Sequence, residues 1–299
     1  MTLDLATLHT QVMIADGAWS TLLRTRYPDL STPAELANLG RPEVVLALAR
    51  EYLAAGARFL TTNTFGAGRQ NLARLGVADD FAEINRAGAR LARAADGSGG
   101  AYVAGSIGPS GRILAIREAS EEELAADFAA QASALQQGGA DLILFETFSE
   151  LDELLLALRA AKDATALPVV ASLSFDSGPQ RTRTRMGAAA GECAAALDRA
   201  GADIIGCNCG GGIATALPAV FALRSATARP LWVKPSVGLP DLEDGRPVYP
   251  QTPDEFAEPA PALIEAGANI LGGCCGAGPE HIRRLAAVVA RAKGRSAKG

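Results

Sequence analysis

Eight short, β-rich apolar runs recur along the chain, each separated from the next by an amphipathic, Ala/Leu-rich stretch. They begin at Val12 (VMIADGA), Phe59 (FLTTNTF), Tyr102 (YVAGSIG), Leu142 (LILFETF), Val169 (VVASLSF), Ile204 (IIGCNC), Leu231 (LWVKPSVG) and Ile270 (ILGGCC). Apolar runs of this length bounded by turn residues predict strands, and intervening segments such as RPEVVLALAREYLAAG and SEEELAADFAAQASALQQGG predict helices. Several helices end at a glycine that leads into the next strand, in AAGARFL, QGGADLIL, RAGADIIG and EAGANILGG. Glycine just past a helix adopts the left-handed C-cap conformation at little cost, so this connector needs no functional explanation. Eight βα units in 299 residues predict a single α/β domain over residues 1–299, a (β/α)8 TIM barrel. A doubly wound open sheet more usually has fewer strands and a glycine-rich nucleotide turn near its start. No linker, low-complexity run or composition break divides the chain, and the basic end ARAKGRSAKG, about residues 290–299, is expected to fray.

The hydrophobic share is 48% and the charged share 20%, and no run approaches the roughly eighteen uninterrupted apolar residues of a membrane span. The start, MTLDLATLHTQVMIADG, has early acidic residues and lacks a basic region followed by a long apolar one, so a secretory leader is not expected and the cytoplasm is. A net charge of −5 with mixed signs leaves only the short cluster Arg181, Arg183 and Arg185 as a basic feature. That excludes a broad nucleic-acid footprint and favours small substrates.

In a barrel the C-terminal ends of the strands form the rim where the βα loops converge and active sites are assembled. Asp16, Thr62, Asn63, Ser106, Glu146, Ser172, Ser174, Asn208 and Lys234 fall there, together with Cys207 and Cys209 at the end of the sixth strand and Cys274 and Cys275 at the end of the eighth. Five cysteines, an odd number in a large chain, argue against a disulfide framework, and Cys193 in GECAAALDRAG reads as a small buried residue. Four thiols on one rim favour a metal. Zinc prefers thiolates, and a catalytic site keeps three protein ligands with one position open. A structural staple usually recruits CxxC knuckles, whereas these pairs are CxC and CC. A vicinal disulfide between Cys274 and Cys275 requires strained geometry and an oxidising setting. A catalytic metal, a structural metal, a redox pair and thiols packed as small hydrophobes all stay open at this point. Alternation cannot decide which of Cys207 and Cys209 points inward, because both lie on one face of an ideal strand, with Asn208 on the other unless the strand end twists.

The motifs DGAWSTLL, LTTNTFGAGRQNL, AGSIGPSG, FETF, GCNC, KPSVGLP and NILGGCCGAGPEHI, in this order and over nearly the whole chain, resemble the homocysteine S-methyltransferase family. GGCCG with an upstream G-x-N-C is the specific part. The resemblance implies a (β/α)8 barrel in which Cys209, Cys274 and Cys275 hold one zinc ion and the thiol of homocysteine becomes the fourth ligand. The implied enzyme is a zinc-dependent homocysteine S-methyltransferase that activates that thiol as a zinc thiolate and forms methionine. A free thiol, with a pKa of about 8.5, is mostly protonated at neutral pH, so coordination that removes its proton makes the nucleophile. Cys207 stands where the family more often has an apolar residue and is expected to pack. By the same resemblance, Asp16 with the backbone at Gly17, and Glu146, bind the ammonium of homocysteine, while Thr62 and Ser106 hold its carboxylate. Asn63 either orients the site or satisfies a strand end. Asp16 equally reads as a turn or helix cap in ADGA, whereas a carboxylate inside LILFETF is expensive unless something positive meets it. Lys234 is expected in a barrel salt bridge, the three arginines in a solvated loop, and His281 at the shaped start of the last helix.

Donors used across the family include betaine, sulfonium compounds such as S-methylmethionine, and methylated cobalamin on another domain or protein. Where the betaine branch places tyrosines, this chain has Gly66 and Thr147. TNTF, GSIGP and GGCCG-x-x-PEHI are closer to the homocysteine-binding module of cobalamin-dependent methionine synthase. The resemblance therefore points first to methylcobalamin supplied on a separate corrinoid protein. Trp19 keeps a small onium donor as the alternative, since an indole face attracts a methylated cation. Two readings come from other classes: a non-catalytic, zinc-stabilised partner barrel, and a lyase or aldolase with Lys234 as a Schiff-base amine.

Overall fold

The computed structural model describes residues 3–30, 32–97, 99–116, 118–243 and 246–296. Each predicted run carries one strand: β1 (Met13–Ile14), β2 (Phe59–Thr61), β3 (Tyr102–Ile107), β4 (Leu142–Phe148), β5 (Val169–Leu173), β6 (Ile204–Cys209), β7 (Leu231–Pro235) and, after a hairpin of β8 (Asp241–Glu243) and β9 (Arg246–Val248), β10 (Ala268–Leu271). The eight long-range strands pair in parallel in the order β1-β10-β7-β6-β5-β4-β3-β2. The two ends of that order meet through a parallel bridge between Ala15 and Phe59, with the Asp16 N–H on the Phe59 carbonyl at 3.0 Å and the Arg58 N–H on the Ile14 carbonyl at 2.7 Å. This closes the sheet into a barrel. Helices between the strands cover its outside, including Pro42–Ala54, Phe81–Ala95, Glu121–Gln137 and Leu151–Ala164.

Both faces of the barrel strands are covered, so those strands read as continuous apolar runs instead of alternating ones. Outward-facing Val103, Ile143, Phe145, Val169, Ile205 and Val233 pack under the helices. Inward-facing Phe59, Tyr102, Leu142, Leu144, Val170, Ile204, Trp232 and Ile270 fill the barrel. Phe59 stacks on Tyr102 at 5.1 Å and meets Trp232 edge-on at 5.4 Å. Full burial of one such side chain contributes roughly 1.5–3 kcal/mol. The helix Leu5–Thr10, which the sequence reading did not anticipate, plugs the lower end of the barrel. Its N-cap Asp4 accepts from the Ala6 N–H, and Leu3 and Leu8 join the interior cluster.

Two residues further along the same inward alternation, the interior turns polar: Thr61, Ser106, Glu146, Ser172 and Lys234 sit above the apolar layers, and all five are buried. The last helix runs Pro279–Ser296, so the basic end is helical as far as Ser296, and residues 297–299 lie outside the described residues. Among the described residues no helix is long and apolar enough to cross a membrane.

Candidate active site

β6 ends at Cys209 with φ +64°, a left-handed conformation that a residue bearing a side chain adopts only at a cost. That turn separates two cysteines that an ideal strand would place on one face. Cys207 stays in the buried shell under the helices, and Cys209 swings to the mouth. Asn208 between them points into the barrel. It accepts from the Thr147 N–H (2.8 Å) and the Ser172 hydroxyl (2.7 Å) and donates to Thr147 Oγ1 (2.6 Å). Thr147 itself has φ +65°, so one asparagine ties together two strand ends in the same unusual conformation.

β10 stops at Leu271, and Cys274 and Cys275 lie in the loop beyond it, not at the strand end the sequence suggested. The chain is pinched there. The N–H groups of Gly272, Gly273 and Cys274 bond to the carbonyls of Val233, Asp16 and Pro235. A Cβ on Gly272 would lie 2.7 Å from the Asp16 carbonyl, and one on Gly273 would lie 2.2 Å from the Ala277 Cβ, so neither position accepts a side chain. The glycines thus let the two cysteines reach over the rim.

The result is a triangle of sulfurs: Cys274 to Cys209 at 3.6 Å, Cys209 to Cys275 at 3.7 Å, and Cys274 to Cys275 at 4.0 Å. A tetrahedral zinc ion with Zn–S bonds of about 2.3 Å sets its sulfurs about 3.8 Å apart. The triangle therefore fits three of the four ligands of such an ion, and among the described residues no other cluster of three or more metal-ligating side chains forms. All five cysteines are free thiols. The hydrogen bond from Cys274 favours the Cys209 thiolate, but the bond with Cys275, burial and the neighbouring sulfurs outweigh it, and the Cys209 thiol is pushed up to about 11. Cys274, its proton held by Cys209 and its surroundings buried, is also raised.

A cavity of about 400 Å3 opens over the triangle and is walled by Trp19, Glu35, Asn63, Phe65 and Glu146 among others. Glu146 accepts from the Ser106 hydroxyl at 2.5 Å, and Ser106 in turn donates its N–H to Thr62 Oγ1 at 2.9 Å. Burial raises the Glu146 carboxyl above its ordinary value, against the opposing pull of Lys234 and Ser106. Asn63 donates to the Ala34 carbonyl and to Asn38 Oδ1, which leaves its own Oδ1 buried with no partner. Such an orphan acceptor costs about 1–3 kcal/mol until a donor arrives. Gly17 lines the cavity, and a Cβ there would lie 2.0 Å from the Ala277 carbonyl.

Asp16 is absent from the cavity wall. Its oxygens are taken by Trp19 Nε1 (3.0 Å), the Thr61 N–H (2.7 Å), the Thr61 hydroxyl (2.9 Å) and Lys234 Nζ (2.6 Å), all within the protein. Lys234 forms the barrel salt bridge expected of it, with both partners fully enclosed. Burial lowers its pKa, but Asp16 and Glu146 together outweigh burial and hold it above the usual lysine value. A Schiff-base role needs a free neutral amine, and here the Lys234 ammonium is engaged by Asp16.

The arginine loop stays outside the cavity: Arg185 pairs with Asp176 at 2.8 Å and Arg183 donates to the Gly187 carbonyl. His281 Nδ1 accepts from the Gly278 N–H at 3.2 Å, and its Nε2 meets the Gln251 carbonyl at 3.1 Å, which pins the segment after the hairpin to the last helix. Burial lowers the His281 pKa below the ordinary value of about 6.5. The folded protein thus disfavours its protonation, so the stability it contributes is present above about pH 6.5 and is lost as pH falls below that value. Urea midpoints at pH 7.5 and 5.5 are expected to fall further in the wild type than in His281→Gln; equal falls would contradict this account.

Two residues here carried no functional signal in the sequence. Glu35, in STPAELANLG, reads as an ordinary helix-start acid. Tyr249 lies past the hairpin, and its ring covers the open face of Gly276, where a Cβ would sit 2.3 Å from Tyr249 Cγ. Only proximity in space reveals either.

A family model described as Homocysteine S-methyltransferase matches residues 13–289. The methionine synthase of Mycobacterium leprae is 33% identical over 305 residues, covering 96% of this chain and 25% of that protein, so this chain spans a quarter of that relative's length. Betaine–homocysteine S-methyltransferase 1 of Danio rerio is 30% identical over 311 residues, covering 95% of this chain and 74% of that one. The barrel superposes on the metallated form of the homocysteine methyltransferase MmuM from Escherichia coli with a TM-score of 0.77 at 24% identity, covering 94% of this chain and 98% of that one. With a family match over most of its length and a relative at 30% identity along most of both chains, this chain belongs to the homocysteine S-methyltransferase family.

Proposed function

We propose that this chain is a zinc-dependent homocysteine S-methyltransferase that forms methionine. The observation that carries the reading is the three-sulfur triangle, open to a cavity that also presents Glu146 and the orphan Asn63 Oδ1. Bound by Cys209, Cys274 and Cys275, zinc supplies the positive charge that makes an acceptor thiol nucleophilic at neutral pH. Glu146 and Asn63 Oδ1 receive the substrate ammonium. Ser106 fixes the Glu146 carboxylate, and Thr62 fixes Ser106, so these two act as positioning residues whose hydroxyls are already engaged. Asp16 acts one layer deeper, orienting the Trp19 indole through its N–H. The homocysteine sulfur forms a bond to the methyl carbon while the carrier departs with the electron pair of the bond that breaks, and the thiol proton passes to solvent.

Two donors are supported by different observations. Similarity to methionine synthase over 96% of this chain, with the motif resemblance to the cobalamin-dependent enzyme, supports a methylated corrinoid as donor. The cavity wall, with a buried carboxylate at Glu35 and the aromatic faces of Trp19 and Phe65, supports a small onium compound. Free cysteines fit a reducing compartment, and the cytoplasm is the proposed location. The deciding experiment incubates zinc-loaded protein and homocysteine with methylcobalamin, betaine, S-methylmethionine or S-adenosylmethionine and measures methionine. Turnover with betaine or a sulfonium would remove the corrinoid as donor, and formation from none of them would leave the methyltransferase reading resting on another partner or substrate.

Glu146→Gln is expected to raise the homocysteine Kd by about 10- to 100-fold, the scale of a lost charge-assisted hydrogen bond, with zinc content unchanged. It should also stabilise the substrate-free protein. Because folding raises the Glu146 pKa, the folded state prefers the protonated carboxyl, and stability falls as pH rises past the ordinary carboxyl value. The thermal midpoint of the variant should therefore exceed that of the wild type at pH 8 and converge with it near pH 4. An unchanged Kd would remove Glu146 from the ammonium site.

A further inference from the structure

We propose that Asn208 and Ser236 form a hydrogen-bond shield on the sulfur triangle that directs methyl transfer to the substrate thiolate and away from the protein's own cysteines. This rests on the zinc and homocysteine reading of the site and adds what decides which of its sulfurs reacts. With the acceptor bound, four thiolates share one metal ion, and each is a nucleophile toward the same methyl carbon. Methylation of a cysteine ligand gives a neutral thioether, which is a far poorer partner for zinc than a thiolate and ends the site. A hydrogen bond to a thiolate draws on the electron pair that would attack carbon. Donors placed on the cysteine sulfurs therefore lower their reactivity and leave that of the substrate sulfur intact.

The two donors are buried and fixed. Asn208 donates from Nδ2 to Cys274 Sγ at 3.8 Å. Its amide cannot turn over, because Oδ1 takes the Thr147 N–H and the Ser172 hydroxyl while one Nδ2 proton goes to Thr147 Oγ1. The remaining proton is committed to sulfur. Ser236, just past the end of β7, donates its hydroxyl to Cys209 Sγ at 3.5 Å and its N–H to the Cys209 carbonyl at 3.1 Å. Neither Asn208 nor Ser236 lines the cavity, so both reach the sulfurs from outside it and a substrate entering through the cavity meets neither. The third sulfur has its own donor in the Tyr249 hydroxyl, which bonds to Cys275 while the Tyr249 ring lies on Gly276.

Iodomethane on zinc-loaded protein without homocysteine tests the shield. A cysteine sulfur bonds to the methyl carbon, the carbon–iodine bond breaks, and iodide leaves with its electron pair. Peptide mass spectrometry reads S-methylcysteine at each position, with zinc content measured alongside. Ser236→Ala should speed methylation of Cys209 by about tenfold, the scale of one lost hydrogen bond to a charged group, and leave Cys274 unchanged. Ser236→Thr keeps the hydroxyl and should restore the wild-type rate. Asn208→Asp keeps the acceptor oxygen without the amide donor and should speed methylation of Cys274 instead. Loosened packing would expose all three cysteines together, so an equal rise at all three, or no rise at Cys209 in zinc-loaded Ser236→Ala, overturns the shield. In the wild type with homocysteine added, methionine should form at least about tenfold ahead of S-methylcysteine, and comparable yields overturn it as well. Site-selective methylation in variants of a protein whose calorimetry shows no homocysteine binding would uphold the shield and remove the acceptor reading. A wild type that takes up no zinc removes both.

Discussion

Serine at Cys209, Cys274 or Cys275 is expected to strip the bound zinc from about one per chain to a small fraction and to cut methionine formation by about a thousandfold or more, whereas Cys207→Ser keeps both. Each of the three sulfurs is one corner of a triangle with sides of 3.6–4.0 Å, and a serine oxygen is a poor ligand at neutral pH and reaches less far. The loss of rate follows from the loss of the positive charge that makes the acceptor nucleophilic, an electrostatic effect of the size seen when such stabilisation is removed. Cys207 is buried under the outer helices and is not part of the three-sulfur cluster, so it offers the metal no ligand. Metal content by mass spectrometry and a methionine assay check all four variants. Full zinc and full activity in Cys274→Ser would end the proposed metal site. The partner-barrel alternative predicts something else: loss of metal should unfold the protein, as it does for domains folded around zinc. Here the barrel interior and the shell under the helices form large apolar clusters that do not depend on the triangle. Removing zinc with a chelator is therefore expected to leave the far-ultraviolet circular dichroism spectrum unchanged.

Lys234→Met should cost about 3–5 kcal/mol of stability, the penalty for leaving a buried charge without its partner. Lys234 and Asp16 are 2% and 0% exposed at 2.6 Å, so water cannot replace the lost ammonium. Pairing Lys234→Met with Asp16→Asn should recover part of the loss, because the amide keeps several of the hydrogen bonds without the charge. Urea unfolding of the two single variants and the double variant measures the coupling. A cost below about 1 kcal/mol for Lys234→Met would mean that the pair is not the anchor of the polar layer. The same substitution should disturb the cavity, since Asp16 also holds the Trp19 indole.

The barrel was legible because its signal is local and repeated. Eight apolar runs, each bounded by a helix end with its own glycine, leave few topologies that bury every strand on both faces. GCNC and GGCCG placed the thiols on one rim for the same reason. The interior plug was not legible, since LATLHT is too short for a clear helical period and only the open lower end of the barrel gives Leu3 and Leu8 somewhere to go. Nor was the fate of Asp16. In sequence it stands as an ammonium contact or a turn cap in ADGA, and only closure of the barrel brings Lys234, 218 residues away, onto its oxygen.

The sequence by itself determined the barrel, the rim on which the polar residues gather, and the identity of the thiols. The family resemblance implied which thiols meet, and the tertiary structure decided how they do. Strand alternation assigns Cys207 and Cys209 to one face, and a single backbone angle, φ +64° at Cys209, sends them apart. That angle is held by packing and by the hydrogen bonds of Asn208 across to Thr147 and Ser172, contacts between strands that no local pattern encodes. Glu35 follows the same rule, because only the fold buries its carboxylate against the Gly66 N–H.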